Sequence, residues 1–248
     1  YTSVKGATAT TPTNPAAPSD LNAIFFSNVG FVAVGANGVA LFSADGTTWT
    51  SQPSNTSFAL NGVASTTAGG YVAVGAAGTL ITSVDGRTWL TAVSGTTSDL
   101  HSVTFGNGRY VAAGAGGTII TSTDGITWVP VASGTTKDLR GIVAGFLDPT
   151  SLTPTPLFVA VGAEGTLLTS ADGLAWKVQT PIAVGNLAAV AYGGQFVAVG
   201  SAGSIFTSAD GVAWQSRTSG TPNDLAAVTR TLSGYAAVGD KGTSVTSF

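Results

Sequence analysis

One pattern, Ser-x-Asp-Gly-x-x-Trp, occurs five times in this chain, and nothing else in the sequence constrains the fold as strongly. The copies run from Ser43 to Trp49, Ser83 to Trp89, Ser122 to Trp128, Ser170 to Trp176 and Ser208 to Trp214, so the tryptophans are 40, 39, 48 and 38 positions apart. Self-similarity at such a period marks an architecture in which each unit buries its apolar surface only by stacking on its neighbours. An aromatic-led apolar run and a short glycine turn precede each copy, as in Tyr71-Val-Ala-Val-Gly-Ala-Ala-Gly-Thr-Leu-Ile-Thr-Ser83. Further upstream a leucine opens another element, at Leu21, Leu60, Leu100, Leu139, Leu187 and Leu225, which makes six repeats.

Each repeat reads as four short strands, A to D. Strand A starts at the leucine, B is the aromatic-Val-Ala-Val run, C is the Gly-Thr-Leu-Ile-Thr-Ser run, and D carries the tryptophan. β-Branched and aromatic residues punctuated by glycine are strand chemistry. Four-stranded units of about 40 residues set radially give an all-β, six-bladed β-propeller. A membrane barrel needs strands of about 9–11 residues with a lipid-facing alternation, and these runs are shorter and broken by glycine. The 248 residues therefore read as one propeller domain, with an insertion loop at 145–156 in blade 4. The last repeat ends in strand C, and Thr2-Ser-Val-Lys-Gly-Ala-Thr-Ala-Thr10 aligns with Thr82-Ser-Val-Asp-Gly-Arg-Thr-Trp-Leu-Thr91. Residues 1–20 are expected to supply a closing outer strand for blade 6 and a linker. Tyr1–Val4 duplicates the strand C positions of Val245–Phe248, so it either hangs free or pairs with a neighbouring molecule, because a loose edge strand templates pairing.

Composition narrows the function classes. Nine Lys+Arg against 12 Asp+Glu give a net charge of −3, with no basic stripe to displace counterions from a nucleic acid. No apolar run reaches the ~18–20 residues of a membrane helix, so no membrane insertion is expected. The absence of cysteine removes thiolate metal sites and cysteine nucleophiles, and a lone histidine, His101, removes histidine clusters. No cofactor and no metal are expected. Residue 1 is Tyr and no Met occurs, which together with the Thr/Pro/Ala stretch from Ala7 to Pro18 reads as a processed, secreted or cell-surface product, an excised intracellular domain being the alternative.

The repeated turn has a physical explanation. An Asp carboxylate accepts backbone N–H groups of its own turn, the next Gly takes a positive φ, and the Trp fills the space between blades. The pattern, as in Gly117-Thr-Ile-Ile-Thr-Ser-Thr-Asp-Gly-Ile-Thr-Trp128, resembles the Asp-box or BNR repeat of sialidase-type propellers, and more closely the photosystem II stability/assembly-factor-like propellers. Its turn is one residue shorter than the usual Asp-box. The resemblance implies a propeller and leaves function open, since such repeats occur in hydrolases, assembly factors and surface proteins. The resemblance to sialidases implies an arginine triad on the substrate carboxylate. Here Arg87, Arg109, Arg140, Arg217 and Arg230 fall at unrelated repeat positions.

Five of the 12 acids sit in the Asp-Gly turns and Asp20, Asp99, Asp138 and Asp224 precede strand A, which leaves Asp148, Glu164 and Asp240 for acid/base work. A carbohydrate hydrolase using Glu164 and Asp240 is thus the minor reading, and no catalytic residue is assigned. The main reading is a non-catalytic module that binds a protein or a glycan, as a monomer or self-assembled through its N-terminal strand. Repeats hold framework positions and vary those that touch partners. The varied positions lie just after the strand A leucine (Asn22, Asn61, His101, Arg140) and in the B–C turns (Asn37, Glu164, Asp240, Lys241). These eight are the candidate ligand-binding residues. Asn22 and Asn61 have a structural alternative in satisfying strand ends, and Arg140 has one in pairing with Asp138. Phe25 and Phe26 read as interblade core.

Overall fold

The computed structural model describes residues 19–66, 70–147, 152, 154–183 and 185–246. The chain is an all-β propeller of six blades, each a meander of consecutive antiparallel strands. Blade 1 is β1 to β4 (Leu21–Ser27, Gly30–Gly35, Ala40–Ser43, Thr50–Gln52) and blade 2 is β5 to β8 (Leu60–Ser65, Tyr71–Gly75, Leu80–Ser83, Leu90–Ala92). Blade 3 is β9 to β12 (Leu100–Gly106, Arg109–Gly114, Ile119–Ser122, Val129–Val131), and blade 4 is β13 to β16 (Leu139–Leu147, Thr155–Gly162, Leu167–Ser170, Lys177–Val178). Blade 5 is β17 to β20 (Leu187–Tyr192, Phe196–Gly200, Ile205–Ser208, Gln215–Arg217). Blade 6 has three strands among the described residues, β21 to β23 (Leu225–Thr231, Gly234–Gly239, Ser244–Thr246). The expected closing strand in residues 1–18 lies outside the described residues.

Two compact units carry these blades. One holds the residues up to Leu100 with Gly125–Trp128, the other His101–Asp124 with the residues from Val129 onward. In the first unit, Val32, Val34 and Phe42 of blade 1 pack on Leu60, Tyr71 and Trp89 of blade 2. The second unit repeats the arrangement, with Val111 and Ile119 against Leu139 and Phe158, then Val159 and Val161 against Leu187 and Phe196. Alternating side chains of the two middle strands thus build a core between successive blades.

Three expectations need adjustment. Each tryptophan stands just ahead of the fourth strand, for example Trp49 before Thr50–Gln52, where it closes the turn. The blade 4 insertion is partly strand, because β13 and β14 extend their hairpin through Gly145↔Leu157, Phe146↔Pro156 and Leu147↔Thr155. Residues 148–151 and 153 of it lie outside the described residues. Phe25 packs on the core of blades 1 and 2, but Phe26 is 62% exposed and Ile24 61%, since neighbouring residues of one strand face opposite ways. Phe26 stacks instead on Phe31, with ring centroids 4.5 Å apart.

The link from second to third strand is a single 3-10 turn in every blade, and in blades 1 to 5 its last glycine is dictated by a crossing chain. At Gly78 φ is +69°, and a Cβ would lie 2.0 Å from the Thr96 carbonyl oxygen of the loop after strand D. Gly203 repeats this against Thr221 with the same φ. By contrast Gly95 and Gly220 also have positive φ, at +75°, but open space around them. Gly78→Ala or Gly203→Ala is therefore expected to destabilise by about 3 kcal/mol or more, and Gly95→Ala or Gly220→Ala by only about 1 kcal/mol for the left-handed backbone. Chemical denaturation of the four variants checks the difference.

Candidate functional site

The candidate residues cluster where the chain enters the first strand of each blade, and the geometry there begins with the residue before the leucine. Its carbonyl accepts the first N–H of its own blade's turn, as in Ala36→Asp20, Ala76→Ala59, Ala163→Asp138, Ser201→Asn186 and Asp240→Asp224, all at 2.8–2.9 Å. Its side chain reaches the turn of the preceding blade. Asp99 accepts the Ala77 N–H at 2.8 Å, Asp138 that of Gly116 at 2.9 Å, Asp224 that of Ala202 at 2.8 Å, and Asn186 that of Glu164 at 3.2 Å. The donor is in each case the middle turn residue, and that residue is left-handed at Asn37, Ala77, Gly116, Glu164, Ala202 and Lys241. The four acids that the sequence groups only by position include three that staple one blade to the next. Their spacing from the leucine was the available signal; the partner one blade back was not.

One position past the leucine, the pairing of the first two strands shifts register in blades 1, 2, 4, 5 and 6. Asn22, Asn61, Arg140, Ala188 and Ala226 are the extra residues of these bulges, which re-aim a side chain out of the ladder. Asn22 donates its amide N–H to the Leu60 carbonyl and Asn61 to that of Leu100, both at 3.0 Å. The two amides also approach each other at 3.5 Å. These asparagines tie a blade to the next.

His101 and Arg140 hold the same row in blades 3 and 4. Their strands are neighbours, with the Ile142 N–H donated to the Ser102 hydroxyl at 3.3 Å and the Ala144 N–H to that of Thr104 at 3.2 Å. His101 is half-buried and Arg140 exposed. Among the described residues neither makes a side-chain hydrogen bond, and the one ion pair is Lys137–Glu164 at 2.6 Å. The alternative pairing of Arg140 with Asp138 is not formed, because the Asp138 carboxylate is turned to the Gly116 N–H.

The turn candidates separate. Glu164 is held by Lys137, Asn37 donates to the Ser19 hydroxyl at 2.9 Å, and Asp240 and Lys241 stand in the turn of blade 6. Three of the five arginines are engaged elsewhere: Arg87 lies 3.9 Å over the Phe42 ring, and Arg109 and Arg217 donate to Thr121 and Thr207. No group of three or more His, Asp or Glu among the described residues could hold a metal ion. An open hollow of about 790 Å³ lies along the loops after the fourth strands of blades 1 and 2, another of about 630 Å³ along that of blade 3, and neither is lined by His101 or Arg140.

The Asp-Gly turns close as their chemistry requires. Asp172 accepts the N–H groups of Leu174 and Ala175 at 2.8 and 2.9 Å, Ser170 donates its hydroxyl to the same carboxylate, and the Trp176 indole donates to the Gly173 carbonyl. Backbone N–H donors hold the carboxyls of Asp45, Asp85, Asp172 and Asp210 below the ordinary value of 3.8. A carboxyl depressed on folding contributes stability that is complete above its unfolded value and lost as the pH falls through the folded one. The triple variant Asp85→Asn/Asp172→Asn/Asp210→Asn is expected to melt lower than the parent at pH 7. The gap should narrow once the pH drops below about 4. Thermal melts from pH 7 to 2 check this.

Comparison with protein-family models gives no match, and comparison with curated proteins gives none. Solved structures do match. YCF48 from Cyanidioschyzon merolae superposes with a TM-score of 0.68 at 16% identity, over 93% of this chain and 82% of that one. YCF48 bound to D1 peptide gives 0.68 at 18%, over 91% and 77%. The WD40 β-propeller domain of Doa1 gives 0.69 at 13%, over 93% and 79%. The shared fold is a β-propeller. At these identities the likeness speaks for the fold alone.

Proposed function

We propose that this chain is a non-catalytic, protein-binding β-propeller that holds an acidic segment of its partner at His101 and Arg140. One observation carries the reading. In the row after the leucine, Asn22 and Asn61 are engaged in tying blades together, while His101 and Arg140 are left with unpaired donors on neighbouring strands. An exposed guanidinium offers a planar fork that matches a carboxylate, and an adjacent imidazole adds a donor. YCF48 in complex with a D1 peptide supports peptide capture by a propeller of this fold.

The non-catalytic part rests on how the acids are committed. Turn carboxylates with two backbone donors each are poor proton donors near neutral pH, and Glu164 is paired with Lys137. Kinship of the turn to the Asp-box, and a secreted or cell-surface setting, belong to this same reading. The Ser-Asp-Gly-Trp hydrogen bonds support the first, and the low charge of the chain suits the second.

A peptide array with acidic, uncharged and basic members tests it. Binding should favour the acidic peptides, weaken with salt, and fall by about tenfold or more in His101→Ala/Arg140→Ala. Preference for basic peptides, or equal binding by the double variant, would overturn the reading.

A further inference from the structure

A second site stands on the loops after the fourth strands of blades 1 and 2. The larger hollow, about 790 Å³, lies there, with Phe58 at its rim and no charged residue in its lining. Phe58 is 53% exposed. The corresponding positions in the later blades carry Ser98, Lys137, Gly185 and Asn223, so the framework does not require an aromatic ring at this point.

The ring is nonetheless mounted on a fixed loop. The Phe58 N–H is donated to the Thr56 hydroxyl at 3.1 Å, and the Asn55 amide is donated to the Trp89 carbonyl at 2.7 Å. The Thr56 carbonyl lies against Gly38. Around the hollow, the hydroxyls of Thr79, Thr91 and Thr97 make no hydrogen bond with any described residue.

An exposed aromatic face beside several unpaired hydroxyls, without a charge, has a specific chemical complement. One face of a pyranose presents C–H groups that pack on an aromatic ring, while its hydroxyls both donate and accept. A charged ligand would find no counterion here. We propose that this hollow binds a neutral oligosaccharide, with Phe58 stacked on one sugar ring and Thr79, Thr91 and Thr97 hydrogen-bonded to its hydroxyls. The smaller hollow in blade 3 serves as an internal contrast. It is lined by Lys137, itself paired with Glu164, and by no aromatic ring, so it is not expected to bind such a ligand.

The test is titration of the full chain with glucose-, mannose-, galactose- and N-acetylglucosamine-based tetrasaccharides, followed by ligand-observed NMR. At least one should bind. Phe58→Ser, which installs the residue found at the matching position of blade 2, should weaken that binding by about tenfold with an unchanged melting temperature. Phe58→Trp should retain it. His101→Ala/Arg140→Ala should leave it unaltered, so that this site and the peptide reading fail or stand separately. Absence of binding by every neutral tetrasaccharide at about 10 mM would overturn the proposal. So would parent-like binding by Phe58→Ser, or a preference for acidic over neutral sugars.

Discussion

The structure depends on one short stretch of chain, the residue that precedes each opening leucine. In blades 1, 2, 4, 5 and 6 its carbonyl receives the N–H of its own blade's turn, and in four blades its side chain receives the N–H of the turn one blade back. A single residue thereby ties the start of a blade to its own middle and to the blade before it. Each turn that its side chain serves contains a left-handed, solvent-exposed residue, and the bond holds that turn against the start of the next blade. Apolar packing between blades supplies the bulk of the stabilisation, but these bonds fix the register in which the packing occurs.

The row next to that residue shows how a framework position becomes available for binding. Blades 1, 2, 4, 5 and 6 enter their first strand through the same carbonyl bond, and in these five the following side chain is turned out by a bulge. Asparagine at that place is a structural connector, as Asn22 and Asn61 demonstrate. Alanine in blades 5 and 6 shows that the connector is dispensable. Histidine and arginine in blades 3 and 4 neither connect nor shorten, and their side chains bond to no described residue. Phe58 is the corresponding departure in the loops, where an aromatic ring replaces small or polar residues on an otherwise repeated scaffold.

Much of the fold was legible because it is written several times. The period of the Ser-x-Asp-Gly-x-x-Trp turn marks a repeat of about 40 residues, and the six recurring leucines give the number of blades and their starts. The roles of Asp99, Asp138 and Asp224 were not legible, since each bonds to a turn about 22 residues earlier and no local pattern signals that partner. Phe25 and Phe26 both read as interblade core, yet alternation along a single strand sends them to opposite sides and leaves Phe26 exposed. Within the candidate row, sequence variation could not separate the amides of Asn22 and Asn61, engaged between blades, from His101 and Arg140.

That separation is the central claim, and installing the connector tests it most directly. In the double variant His101→Asn/Arg140→Asn, the new amides would stand where Asn61 and Asn22 stand and could donate to the Leu139 and Leu187 carbonyls. The measurement is a melting temperature together with affinity for an acidic peptide that binds the parent. A melting temperature equal to or above the parent's, with binding lost, is the expected result. A clear loss of stability, or binding that survives the exchange, would contradict the account.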